Sequence, residues 1–228
     1  MKYNQDYFNK HNSLNRYMAE YLVNFTKKQN LKNILDVGCG TGKLVHYLNN
    51  HKLNAIGCDN SQLAVSLARK INKKGTIVES SASKLKFKDQ SFDLVTAISI
   101  IEHLNTKEAK QFLKESARVL KKNGFIFLVT PNYLSPARIL LGKKWFAYQD
   151  PTHINFFTPE RLSKLLSRNG FSSLKTHFPI NYHPKLDKEF PHFFKAFPVI
   201  LKVSLIYLLF DTPLYIIRDS FWMAAQNK

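Results

Sequence analysis

Three glycines crowded into one turn constrain this chain more than any other feature. Residues 33–42 read Asn-Ile-Leu-Asp-Val-Gly-Cys-Gly-Thr-Gly, so an apolar run ends abruptly at Gly38, Gly40 and Gly42. A segment with a helical pattern follows at residues 43–50. An apolar run, a glycine turn and a helix in this order predict a buried strand that turns tightly into a helix N-terminus. Glycine accepts positive φ in such a turn and lets a ligand approach the backbone.

The chemistry of this turn favours a ligand that carries an amino group and no phosphate. The spacing is G-x-G-x-G, which differs from the G-x-G-x-x-G of dinucleotide-binding loops. Asp36 precedes the turn, and a carboxylate there would repel a phosphate and attract a cationic group.

A second acidic residue stands where a ribose could bind. Residues 53–59 predict a second strand, and Asp59 ends it about 20 positions after the glycine turn. At the carboxyl edge of a parallel sheet, its carboxylate can accept hydrogen bonds from both ribose hydroxyls. Alternatively, Asp59 caps the helix predicted at 62–71, a role that Asn60 or Ser61 could also fill.

Strands and helices alternate from residue 34 to residue 178, which predicts an α/β fold with a largely parallel sheet. A chain of 228 residues is long enough for one such domain with additions. Cys39 and Cys58 fall at the ends of two predicted strands, so we expect small core residues in a reducing compartment and no disulfide.

At residues 35–42 the chain resembles the class I S-adenosylmethionine-dependent methyltransferases, and residues 91–103 fit the same register. A Pro131-Asn132 strand end followed by a His-x-x-Phe-Phe segment that starts at His153 is similar to a subgroup of small-molecule methyltransferases, of the ubiquinone-biosynthesis type. The resemblance implies a Rossmann-like, doubly wound, seven-stranded sheet in the order 3-2-1-4-5-7-6. The last strand would be antiparallel, and helices would be added at both ends.

The resemblance also implies S-adenosyl-L-methionine as the cofactor and methyl transfer as the reaction. The expected function is O-methylation of a small-molecule or lipid-like acceptor. An RNA or protein acceptor, and a noncatalytic relative that only binds the cofactor, stay open as alternatives.

In the resembled family the cofactor is shared among loops at one sheet edge. Asp36 and the backbone of the glycine turn would hold the methionine part, and Asp59 would hold the ribose. Ser81 and Ala82 would hold the adenine, although the family commonly has aspartate where Ser81 stands. The implied cofactor-binding residues are Asp36, Gly38, Cys39, Gly40, Gly42, Asp59, Asn60, Ser81, Ala82 and Ile98.

Two histidines are candidates for the catalytic base. His103 follows the fourth predicted strand, and His153 lies in the resembled His-x-x-Phe-Phe segment. A histidine pKa near operating pH suits deprotonation of an acceptor hydroxyl. The alternative for His153 is a structural role, with its ring bonded to a backbone carbonyl. Some members of the resembled family bind a divalent metal through E-x-x-E-H, but Ser99 replaces the first glutamate, so no metal is expected beside Glu102.

The sequence predicts one domain over residues 1–228, with recognisable parts. These parts are an N-terminal helical lid (1–31), a catalytic core (32–180), an acceptor-side insertion (134–157), an apolar helical insertion (186–213) and a last strand (218–227). The alternative for the lid helix is packing on the edge of the core. The apolar insertion is too short and too interrupted to span a membrane. It could cover the sheet, form a homodimer interface, or contact a membrane peripherally.

The net charge of +18 comes from 27 lysines and only 7 arginines. An anionic partner is one explanation, but the lysines are scattered, and arginine forks suit phosphate better. We therefore expect a small-molecule or lipid-like acceptor and no nucleic-acid partner. No charged-then-apolar signal opens the sequence, so the expected location is cytoplasmic, with peripheral contact at the inner membrane surface as an option.

Overall fold

The computed structural model describes residues 4–10, 13–177, 198 and 219–228. Within them lies one seven-stranded sheet in the order β3-β2-β1-β4-β5-β7-β6, which confirms the expected strand order. β7 runs antiparallel to both of its neighbours, and the other pairs are parallel. The strands are β1 (Asn33–Val37), β2 (Asn54–Asp59), β3 (Ile77–Glu79), β4 (Phe92–Ile98), β5 (Leu120–Pro131), β6 (Phe171–His177) and β7 (Ser220–Asn227).

Helices cover both faces of the sheet. They are α1 (Gln5–Lys10), α2 (Arg16–Lys28), α3 (Lys43–Asn50), α4 (Gln62–Ile71), α5 (Thr106–Val119), α6 (Pro136–Leu141), α7 (Phe146–Gln149) and α8 (Pro159–Ser167). One apolar cluster joins α2, α3 and α4 to residues such as Ile34, and the other joins α5 and α8 to residues such as Leu35. Adjacent residues of β1 therefore face opposite layers, as the two-residue period of a strand requires.

Local capping chemistry explains where the helices begin. Ser61 caps α4 by accepting a hydrogen bond from the Ala64 N–H, and Thr158 caps α8, whose first residue is Pro159. Asn105 and Glu108 form a capping box at the start of α5.

The Asn-Gly pair at residues 123–124 predicts the end of a helix that covers residues 106–120, and this predicted boundary is wrong. Asn123 and Gly124 resemble a helix C-cap, but α5 already ends at Val119 and both residues lie inside β5. Leu120 pairs with Phe92 of β4, and the register shifts before the next pair. Asn123 has a φ of 62°, so the left-handed residue produces an irregularity in the strand instead of ending a helix.

The N-terminal region forms two helices, with Asn15 capping the second. The buried side of α2, which includes Leu22 and Val23, packs in the cluster on one sheet face. Its role as a lid stays a prediction. Apart from Pro198, the apolar insertion at 186–213 lies outside the described residues, and with it the expected membrane contact and dimer interface. Among the helices that the structure describes, none is long and apolar enough to cross a membrane.

Candidate active site

The three glycines of the turn have different surroundings. All have positive φ, at 70° for Gly38, 52° for Gly40 and 74° for Gly42. A Cβ at Gly38 would lie 2.0 Å from the side chain of Ile100, and one at Gly42 would lie 2.8 Å from Ala68. A Cβ at Gly40 would meet no described atom within 4 Å. Packing therefore requires glycine at two positions, and Gly40 is the one that presents open backbone to a ligand.

Asp59 connects this turn to the end of β2. Its Oδ2 accepts a hydrogen bond from the Gly40 N–H at 3.0 Å, and its Oδ1 accepts one from the Ser61 N–H at 2.9 Å. Since Ser61 caps α4, the side chain of Asp59 is left for the turn and for a ligand. Burial raises the pKa of Asp59, and the backbone hydrogen bonds oppose that rise. A carboxylate has about four acceptor sites, so Asp59 can accept a ribose hydroxyl beside these backbone hydrogen bonds.

Asp36 is buried below the turn. Its Oδ1 accepts a hydrogen bond from the Thr96 hydroxyl at 2.8 Å. Burial raises its pKa to about 7; the Thr96 hydrogen bond lowers it, and the charge of Asp59 raises it further. A bound ammonium group nearby would favour the ionised form of Asp36.

The remaining cofactor candidates line the same edge, and their roles stay predictions. The exposed Ser81 lies with its hydroxyl 3.0 Å from that of Ser83, inside its own loop. Asn60 is exposed, and Ala82 and Ile98 are half-buried. The thiol of Cys39 packs against Gly57, where a Cβ would lie 2.8 Å from it, and burial raises the pKa of Cys39, so the group stays an unreactive thiol.

The structure brings the two candidate histidines together from positions 50 residues apart in the sequence. His103 ends a 3₁₀ helix, Ile101–His103, that follows β4. His153 comes from the insertion, and the two ring centroids lie 4.6 Å apart at an interplanar angle of 63°. Both candidates for the catalytic base therefore lie at one site.

The ring of His153 is held inside the insertion. Its Nδ1 lies 2.7 Å from the carbonyl oxygen of Ala147. A carbonyl only accepts, so Nδ1 carries the proton and Nε2 has the lone pair in the neutral ring. The side chain is only 9% exposed. This is the structural arrangement that the sequence left open as the alternative for His153.

Glu102 is the interior group of this cluster. It is 1% exposed, and neither carboxyl oxygen has a hydrogen-bond partner among the described residues. Burial raises the pKa of Glu102 to about 8; the Thr130 and Ser99 hydroxyls lie near enough to lower it somewhat without making a regular hydrogen bond. Its backbone carbonyl accepts from the N–H groups of Ile154 and Asn155, both at 3.0 Å, and so fastens the insertion to the 3₁₀ helix.

One potential ligand atom each from Glu102, His103 and His153 lies within 4.8 Å of the others. Sequence spacing did not indicate that His153 joins the E-H pair. The cluster offers two imidazoles and a single carboxyl, a poor set for a hard cation, which prefers more oxygen ligands. The expected absence of a metal stays a prediction.

The insertion between β5 and α8 is closed at its base and filled with aromatic side chains. Asn132 and Phe157 form an isolated bridge at its two ends. Trp145 is fully buried, lies 5.0 Å from the Tyr148 ring, and donates from Nε1 to Asp219. Trp145 therefore anchors the insertion, whereas Tyr148 lies at its exposed surface.

Comparisons with known proteins agree with this geometry. A family model described as a methyltransferase domain matches residues 35–128. The ubiquinone biosynthesis O-methyltransferase of Pelagibacter ubique is 30% identical over 175 residues, covering 70% of this chain and 72% of that protein. The chain belongs to the class I S-adenosylmethionine-dependent methyltransferases.

Other matches cover less or show only the fold. The probable tRNA methyltransferase 9B of Mus musculus is 35% identical over 96 residues, which is 42% of this chain but only 21% of that protein. The chain thus spans about a fifth of the length of that relative. A SAM-dependent methyltransferase of known structure from Archaeoglobus fulgidus superposes with a TM-score of 0.64 at 20% identity, over 92% of this chain and 94% of that one.

S-adenosylmethionine is the cofactor of this methyltransferase family, and the residues present fit it. The open backbone at Gly40 lies beside the Asp59 carboxylate, and the buried Asp36 lies below the same turn. Sequence reasoning missed Ile100 and Thr96, which hold Gly38 and Asp36 in place. No local signal points to them, because each contact joins residues that are about 60 positions apart.

Proposed function

We propose that this methyltransferase methylates a hydroxyl group of a small, lipid-like aromatic acceptor, with His103 as the general base. The proposal rests on the contact between His103 and His153, which lie at the same edge of the sheet as the glycine turn. The side chain of His153 is only 9% exposed, and its Nε2 faces Asp150 Oδ2 at 3.9 Å, so His103 is the member that meets the acceptor.

For methyl transfer to a hydroxyl group, the protein has to align the two reactants and remove one proton. When bound, S-adenosylmethionine supplies a methyl group on an already activated sulfonium. His103 takes the proton of the acceptor hydroxyl as that oxygen bonds to the methyl carbon and the carbon–sulfur bond breaks. Alignment by the glycine turn and the insertion supplies the remainder of the rate enhancement.

Two observations support the acceptor class. Relatives described as ubiquinone biosynthesis O-methyltransferases match over most of the chain, including one from Bartonella bacilliformis that is 27% identical over 164 residues. The insertion also presents exposed apolar and aromatic side chains near the histidines, among them Phe146, Tyr148 and Ile154. Such a surface suits an aromatic ring with an apolar tail.

A methyl-transfer assay tests this proposal. Catechols with and without a short prenyl tail are offered with labelled S-adenosylmethionine. We expect methylation of the tailed catechol, and His103→Gln should lower kcat by about 10²-fold or more. His46→Gln, an exposed histidine on α3, is the matched control and should keep full activity. Full activity in His103→Gln, with the wild type active, would rule out its role as base.

RNA is the second candidate acceptor, because of the +18 charge and the relative described as a tRNA methyltransferase. The same assay with tRNA separates the two candidates. Methylation of tRNA that falls steeply with salt, together with inert catechols, would replace the small-molecule proposal.

A further inference from the structure

Two side chains, Thr152 and Asp150, form a hydrogen-bonded relay behind His103. Asp150 Oδ1 lies 2.6 Å from the Thr152 hydroxyl and also accepts from the Thr152 N–H at 2.8 Å. The same Thr152 hydroxyl lies 2.7 Å from His103 Nδ1. Thr152 is 8% exposed, so these contacts are made away from bulk water.

The number of protons available determines which atom donates in each hydrogen bond of this relay. Burial alone would raise the pKa of Asp150, but the Thr152 hydrogen bonds and the two nearby histidines lower it below its ordinary value, so the group is an ionised acceptor. The single proton of the Thr152 hydroxyl must then point to Asp150. Toward His103 that oxygen can only accept, so Nδ1 of His103 must donate.

We propose that Thr152 and Asp150 are positioning residues that hold His103 as the Nδ1–H tautomer, in which Nε2 is the basic nitrogen of the ring. This inference rests on the proposed role of His103 as base. In this arrangement the Thr152 hydroxyl lies between Asp150 and His103. The Asp150 carboxylate orients the hydroxyl, and the hydroxyl orients the His103 ring.

Backbone hydrogen bonds fix the positions of the relay residues. The His153 N–H donates to the Asp150 carbonyl at 3.1 Å, which closes the turn that holds Thr152. The Glu102 carbonyl binds the N–H groups of Ile154 and Asn155, so the loop with Thr152 and the helix with His103 are fastened together. A relay with both ends fixed loses little entropy when it forms its bonds.

The charges around His103 favour the same assignment. Among the described residues, the titratable groups near it include Asp150, the ring of His153 and the carboxyl of Glu102. Burial raises the pKa of Glu102 to about 8, so Asp150 is the carboxyl of this set that is ionised at neutral pH. Its charge stabilises the imidazolium that forms when His103 takes the proton, and the bond to Thr152 does not change.

The tautomer can be measured without any acceptor. In ¹⁵N-histidine-labelled full-length protein, nitrogen chemical shifts distinguish a protonated ring nitrogen from an unprotonated one, and His103→Gln identifies the signals of His103. We expect the Nδ1–H form in the wild type and in Thr152→Ser, which keeps the hydroxyl. Thr152→Val should shift His103 toward the Nε2–H form. A wild-type Nε2–H form, or an unchanged tautomer in Thr152→Val, would overturn the proposal.

Asp150→Asn provides a second and independent variant. Its side-chain carbonyl can still accept from Thr152, so the tautomer should stay, but the negative charge is lost. We therefore expect the acid limb of kcat/KM to move to lower pH, because an imidazolium without its anion releases its proton more easily. An unmoved limb would contradict the charge argument.

Turnover then separates this inference from the proposed function. We expect Thr152→Val to lower kcat about 10²-fold, the usual cost of a misaligned catalytic group, with KM for S-adenosylmethionine unchanged and activity retained in Thr152→Ser. Full kcat in Thr152→Val beside an inactive His103→Gln would refute the relay while the proposed function stands. Full activity in His103→Gln would refute the base itself.

Discussion

Replacing Asp36 with asparagine should make the protein more stable at high pH and weaken its hold on the cofactor. Asp36 is 3% exposed, and burial raises its pKa from 3.8 to about 7. A raised carboxyl pKa means that the native state holds its proton more tightly than the unfolded state does. Stability is therefore lost as pH rises from the unfolded pKa through the folded one.

The size of this effect follows from the pKa shift. One pKa unit corresponds to about 1.4 kcal/mol, so ionising Asp36 in place costs the native state roughly 4 kcal/mol. Between pH 5 and pH 8, the share of that loss from this one group is roughly 2.5 kcal/mol. The asparagine side chain of the variant has no proton to lose, and its oxygen could still accept the Thr96 hydrogen bond.

Urea unfolding of both proteins at pH 5 and pH 8 measures this difference. We expect the stability of Asp36→Asn relative to wild type to rise by roughly 2.5 kcal/mol from the lower to the higher pH. Comparing the two proteins at each pH cancels the contribution of Glu102, whose pKa is also raised. Glu20→Gln, an exposed carboxylate on α2, controls for the loss of one charge. Equal pH dependence in wild type and Asp36→Asn would refute the reasoning.

The same substitution tests the ligand side of the site. If Asp36 faces the ammonium group of the cofactor, calorimetry should show weaker binding of S-adenosylmethionine to Asp36→Asn. Wild-type binding near pH 7 should release part of a proton, because the bound cation ionises Asp36. Unchanged affinity together with no proton release would remove Asp36 from the methionine site.

Three further outcomes are expected from the same site. Asp59→Ala should weaken S-adenosylmethionine binding roughly 10- to 100-fold in calorimetry, the worth of a charged hydrogen bond, and unchanged affinity would refute the ribose role. Gly42→Ala should cost about 1–3 kcal/mol more in urea unfolding than Gly40→Ala, because only the former meets α4; equal losses would contradict the assigned roles. Dialysis against EDTA should leave methyl transfer unchanged, since Glu102 is the single carboxyl beside two imidazoles in that cluster, and activity restored only by an added divalent cation would overturn the metal-free expectation.

Features set by neighbouring residues were predictable from the amino-acid sequence. The glycine turn, the Ser61 cap and the Pro159 helix start depend on φ preferences and on side chains that reach their own backbone. The strand order and the cofactor followed from the resemblance of residues 35–42 and 91–103 to a known family. Where a local signal met a stronger tertiary one, prediction failed: Asn123 and Gly124 read as a helix end, but pairing of Leu120 with Phe92 placed them inside a strand.

Tertiary structure alone decided which residues act together. The sequence does not distinguish the roles of Gly38, Gly40 and Gly42. In the structure, Ile100 packs on Gly38 and Ala68 on Gly42, which leaves the backbone of Gly40 open. His103 meets Thr152 across 49 positions, a contact that no local preference encodes. Burial also set the proton states of Asp36 and Glu102, because the pKa of a carboxyl depends on the water and charges that the fold leaves around it.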